Sequence, residues 1–164
     1  MRRTIVQGLT VGFIAYLSVA AFYAAFDFLA ARGTLYTVDL LGKAVFRGLR
    51  DPSVLQHPID IDMGAVMAYN ALHFVVSLAI GLAVCGFVEL AERRPRSAPF
   101  VSLMLAAGFL VTVAVVGLLS DPIRPLVPWW SVVVANLIPM LFAGWYLVRQ
   151  RPGVVRLLTR WTQE

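Results

Sequence analysis

Four apolar runs, each long enough to cross a bilayer, constrain this chain more than anything else in it. A transmembrane helix needs roughly 20 consecutive apolar residues. The runs fall at about 5–30, 64–89, 100–119 and 127–148. Only helices and closed barrels satisfy their own backbone in lipid, and runs of this length are helical. The chain reads as an all-α membrane protein, a single domain over residues 1–164 with four transmembrane helices in a bundle. Composition agrees: 60% of residues are hydrophobic, 14% are charged and mean hydropathy is +0.80. Soluble domains are closer to half apolar and a quarter charged.

The first run follows Arg2-Arg3 and so has the outline of a signal peptide. It is about 25 residues, beyond the usual 7–15-residue apolar region of such peptides, and reads as a retained helix. Direction follows from the flanking cations. Arg2, Arg3, Arg93, Arg94, Arg96, Arg149, Arg151, Arg156 and Arg160 fall on one side. Arg32, Lys43, Arg47, Arg50 and Arg124 fall on the other. The richer side is expected to be cytoplasmic, with both termini inside, in a bacterial inner membrane. Trp129-Trp130 and Trp145-Tyr146 bracket the last run where amphipathic rings prefer to lie. Residues 149–164 form a cytoplasmic tail. Within it, Val154–Trp161 has the pattern of a short interfacial helix on an anionic leaflet.

Residues 31–63 form a long outer loop. Val38, Leu41, Val45 and Leu49 recur at helical spacing while Lys43, Arg47 and Arg50 fall elsewhere. That pattern predicts a short amphipathic interfacial helix over Thr37–Leu49, flat on the outer surface and ended at Arg50-Asp51-Pro52. Asp60 and Asp62 alternate with isoleucine. Calcium needs about six to eight oxygens, so no metal is assigned, and Asp62 is expected to cap the second span.

Polar residues inside lipid are the candidates for function. Asn70, His73 and Ser77 share one stripe of the second span. Asp27, near the end of the first span, and Asn136, in the fourth, lie at comparable depth. Together with Tyr16 and Tyr23 they can converge on one outward-facing polar pocket. There, His73 would carry a proton or bind a ligand, with Asp27 as its carboxylate partner. The same residues also suit plain interhelical hydrogen bonding. Gly8 and Gly12 have the spacing of a close helix contact, and Pro139 is expected to kink the fourth span. Spans one and three share a faint pattern, 11–15 against 107–111, each followed by an aspartate, Asp27 and Asp121.

The exclusions are equally informative. One cysteine, Cys85, forms neither an internal disulfide nor a zinc cluster. Phosphate-loop, dinucleotide, zincin and nucleophile-elbow motifs do not occur. The net charge of +5 lies at span flanks, not in a nucleic-acid groove. No cofactor is assigned; a haem or quinone at His73 is the third and weakest of the readings. The expected partners are membrane lipids, and other membrane subunits or a second copy. Two functions remain. The first is a non-catalytic accessory subunit of a respiratory or photosynthetic membrane complex. The second is a stand-alone proton or solute carrier working through Asp27, Asn70 and His73.

Overall fold

A computed structural model describes residues 2–153; the tail segment Val154–Trp161, read as an interfacial helix, lies outside it. The described residues form five α-helices and no strand. They are α1 (Arg2–Leu29), α2 (Tyr36–Phe46), α3 (Met63–Arg93), α4 (Ala98–Ser120) and α5 (Trp129–Gln150). Four of them, α1, α3, α4 and α5, are long and apolar enough to cross a membrane. Each overlaps an expected run, and α3 is the longest at 31 residues, extending past Glu89 to Arg93. At about 1.5 Å per residue it is longer than the roughly 30 Å hydrocarbon thickness of a bilayer.

Glycine sets the closest contact. Gly8 and Gly12 of α1 face Gly81 of α3. A Cβ built on Gly12 would lie 2.6 Å from the Ser77 carbonyl oxygen and the Leu78 Cα; one on Gly8 would lie 2.8 Å from the Leu82 Cα. These backbones touch because no side chain stands between them. On the α5 side, Val11, Cys85 and Leu147 are buried together. Near the start of α4, Ala98 and Val101 bury against Ala91 of α3. At the other end of α4, Val116 packs with Tyr36, Leu40, Ile123, Val127 and Val132. Helix α5 continues through Pro139.

The helix predicted in the outer loop exists but ends earlier, and only half of its expected apolar stripe faces inward. Gly48 adopts the left-handed region (φ 67°), and the Leu49 N–H turns back onto the Lys43 carbonyl, which closes α2 at Phe46 before Pro52 is reached. Its buried face carries Tyr36, Thr37, Asp39, Leu40, Lys43 and Ala44, whereas Val45 and Leu49 of the expected apolar stripe are exposed. Val38 and Leu41 of that stripe are partly buried, and two buried charges share their side of the helix because each has its partner there. The Lys43 ammonium bonds the Asp39 carboxylate at 2.7 Å and the Asp60 carbonyl. The Asp62 N–H donates to the other Asp39 oxygen at 2.8 Å. Gly42 lets α2 press onto the Ala65 backbone of α3. Asp62 caps α3 as expected, accepting the Ala65 N–H at 3.0 Å, and also binds Arg47 at 2.8 Å.

Candidate functional site

Helix α2 closes a cavity of about 210 Å³ between the last turns of α1 and the first turns of α3. Val19, Ala20, Tyr23, Ala24 and Asp27 come from α1, Val38 and Leu41 from α2, and Tyr69, Asn70 and His73 from α3. On a helix, Tyr69 and His73 are one turn apart and Asn70 is adjacent, so α3 presents all three on one side. Aliphatic side chains supply about half of the lining, and polar groups come from every side: Tyr23 and Asp27 on α1, Thr34 and Thr37 at the start of α2, and Asn70 and His73 on α3.

Three of the five expected site residues, Asp27, Asn70 and His73, meet at this cavity. Ser77 does not line it; it is buried where α3 crosses Gly12. Asn136 also lies elsewhere, its amide donating to the Val132 carbonyl of its own helix at 2.8 Å.

The contacts of the three differ in kind. Asp27, 1% exposed, accepts from the Thr37 N–H and the Thr37 hydroxyl, both at 2.6 Å, and pairs with Arg32 at 3.4 Å. The first turn of α2 has no side-chain cap of its own, and Asp27 supplies one from α1. Its carboxylate is thus engaged by α2, not by His73. Asn70 donates to the Val66 carbonyl at 3.0 Å and accepts from the Tyr16 hydroxyl at 3.3 Å. The His73 ring sits 5.3 Å from the Tyr16 ring and 6.4 Å from the Tyr69 ring, centroid to centroid. Neither of its nitrogens has a hydrogen-bond partner among the described residues. Arg32, which pairs with Asp27, stacks over Phe26 and Tyr36 and donates to the Leu126 carbonyl at 3.2 Å. The Tyr36 hydroxyl donates to the Leu55 carbonyl at 2.9 Å, and burial pushes its pKa up.

Two features escaped the sequence reading. One is α2 as the wall of the cavity; the clue was the Asp39–Lys43 pair at i, i+4, which was free to turn inward. The other lies at the opposite end of the molecule. Arg151, 7% exposed, donates to Gln7 Oε1 from Nε at 2.8 Å and from Nη2 at 2.6 Å, and pairs with Glu92. Thr4 bonds Glu89, which also holds Arg93. Gln7, a lone amide in an apolar run, was the available signal. Among the described residues no group of His, Cys, Asp and Glu is arranged to hold a metal. No protein-family model matches the chain, and neither a curated protein nor a solved structure matches it.

Proposed function

We propose that this protein is a multi-pass membrane protein that binds a small, uncharged and largely apolar molecule in the α1–α2–α3 cavity. One observation carries the reading. His73 packs beside the Tyr16 and Tyr69 rings at the cavity wall, and its ring nitrogens have no partner among the described residues. A part-buried imidazole is ordinarily hydrogen-bonded, and a ligand bearing one carbonyl or hydroxyl completes it. The aliphatic half of the lining suits the rest of such a molecule. In this reading the four spans close as a bundle in a bacterial inner membrane, both termini are cytoplasmic, and α2 lies at the outer surface. The cation asymmetry of the flanks supports that direction. The protein then works as a small carrier through His73 and Asn70, with Asp27 holding the lid.

The test is extraction of the purified protein with organic solvent, followed by mass spectrometry of what is released. A neutral lipophile near equimolar with protein is expected from the wild type, and its loss from His73→Ala at an unchanged melting midpoint. Equal recovery from both proteins, or none from either, removes the reading.

A second reading is favoured by α4. Its buried residues, Ala98, Val101 and Ser120, lie at its two ends, while Leu103, Leu110, Val111, Val115 and Leu118 between them are 48–75% exposed. A helix so little covered fits an accessory, non-catalytic subunit whose α4 docks on other membrane subunits of a respiratory or photosynthetic complex, or on a second copy. Mild-detergent purification yielding a lone monomer counts against it.

A further inference from the structure

Where the first turns of α1 meet the last turns of α5, Arg2, Arg3, Val6, Gln7, Tyr146 and Gln150 line an open groove of about 410 Å³. Arg3 donates to the Gln150 carbonyl at 2.7 Å and ties the two walls together. Gln7 forms part of the lining and is buried, 4% exposed. Its oxygen takes both Arg151 donors, so its NH₂ must point the other way, and that NH₂ has no acceptor among the described residues. Arg2 and the Tyr146 hydroxyl likewise have no hydrogen-bond or ion-pair partner among the described residues. The carboxylates at this end are engaged elsewhere: Glu92 holds Arg151, and Glu89 holds Thr4 and Arg93.

The groove therefore presents two guanidinium groups, a buried amide donor and a hydroxyl, with no competing acid among the described residues. An anion with several acceptor oxygens meets that set. The groove is also flanked by Val6 and the Tyr146 ring, and it lies at the ends of two helices long enough to span lipid. We infer that it seats the phosphodiester headgroup of an anionic phospholipid, with the acyl chains running from Val6 along the outside of α1 and α5.

The experiment uses the full chain in detergent, loaded with an equimolar mixture of phosphatidylglycerol and phosphatidylcholine, with retained lipid read by native mass spectrometry. Phosphatidylglycerol is expected to be retained about five-fold over phosphatidylcholine, the preference that one interfacial cation confers. Arg2→Ala should bring the ratio close to one at an unchanged melting midpoint, since Arg2 is exposed and makes no contact that folding needs. Arg96→Ala, at an exposed cation of the same end, should leave the ratio intact. Equal retention of the two lipids by the wild type overturns the inference, and so does an equal fall in both variants. Displacement of phosphatidylglycerol by millimolar inorganic phosphate, with phosphate adducts in its place, assigns the groove to the free ion and overturns it as well.

Discussion

Asp27 is an intramembrane carboxylate by sequence and a helix cap by structure. Two of its contacts run to Thr37 and one to Arg32, all of which fix α2 over the cavity. Asp27→Ala removes the cap and leaves Arg32 without its carboxylate. Caps are worth about 1 kcal/mol and a charge-assisted buried contact somewhat more, so the loss should be about 2–3 kcal/mol. Thermal unfolding in detergent measures it, and Asp27→Asn, which keeps an acceptor for Thr37, should lose about half as much. Asp62 makes a related case with a pH signature. Arg47 first, and then the Ala65 N–H, hold its carboxyl down at about 2. A depressed carboxylate stabilises the fold fully above its unfolded value of about 4, and that contribution is lost as pH falls through about 2. Amide exchange in residues 47–65 should therefore be flat from pH 7 to pH 5, once corrected for intrinsic rates, and quicken between about pH 4 and pH 2. Arg47→Ala takes away the main cause of the depression, so the change should become smaller and its window should narrow toward pH 4. The Asp62 cap was legible in advance because an N-cap is a local event, one acidic side chain three residues before its own target. The Asp27 cap was not, because it joins two helices across a turn at Ala31–Leu35 whose path the sequence does not specify.

At the scale of elements, the α1–α3 crossing depends on what glycine omits. A Cβ on Gly81 would stand against the Gly8 carbonyl and the Gly12 backbone, closer than real Cβ atoms come, and backbone has nowhere to move. Gly81→Ala should force the helices apart and destabilise by about 2 kcal/mol, within the overpacking range. Gly86→Ala, five residues along the same helix, meets nothing within 4 Å. It should be neutral or stabilise by up to about 1 kcal/mol through helix propensity alone. Comparing the two unfolding midpoints separates crowding from propensity. Gly8 and Gly12 announce themselves by spacing, yet Gly81 has no partner at that spacing in its own helix. It is recognisable only once α3 is in register with α1. The same lack of register hid the buried face of α2. Hydrophobic periodicity assigns that face to Val38, Leu41, Val45 and Leu49; the first two do face the cavity, and the last two give way to the Asp39–Lys43 pair, since a charge pair goes wherever its hydrogen bonds are completed. Asp27 and Asp121, which the faint internal pattern aligns, also do different work. Asp27 is buried on Thr37, whereas Asp121 is exposed and pairs with Arg124 at 2.7 Å.

At the scale of the whole molecule, apolar run length exposes the spans because lipid leaves the backbone no other solution. Run length says nothing of which span lies beside which, and here side chains at the two ends decide it. Asp27 and Arg32 tie α1 to α2 and to the segment before α5 at one end. At the other, Arg151 binds α1 through Gln7 and α3 through Glu92 from its place just after α5. By sequence, Arg151 is one more cation setting direction, which is how any arginine beside a span looks before its neighbours are known. Its burial and its bonds to both Gln7 and Glu92 make it a cation whose removal should loosen the order of α1, α3 and α5. Arg151→Met keeps much of the volume and leaves Gln7 and Glu92 without their donor. Breaking a buried pair from one side costs about 3–5 kcal/mol, and the half-exposure of Glu92 brings the expected loss to about 2–3 kcal/mol. Arg94→Ala, an exposed neighbour at the same end, should change the midpoint by less than about 0.5 kcal/mol. If direction were the whole role of these arginines, the two variants would melt alike in detergent, where no potential or leaflet charge acts. If Arg151 is a structural tie, only its variant melts early. Cysteines placed at Val6 and Tyr146 should then also cross-link less efficiently in Arg151→Met than in the wild-type background, because among the described residues only the Arg3–Gln150 hydrogen bond then ties the ends of α1 and α5 together.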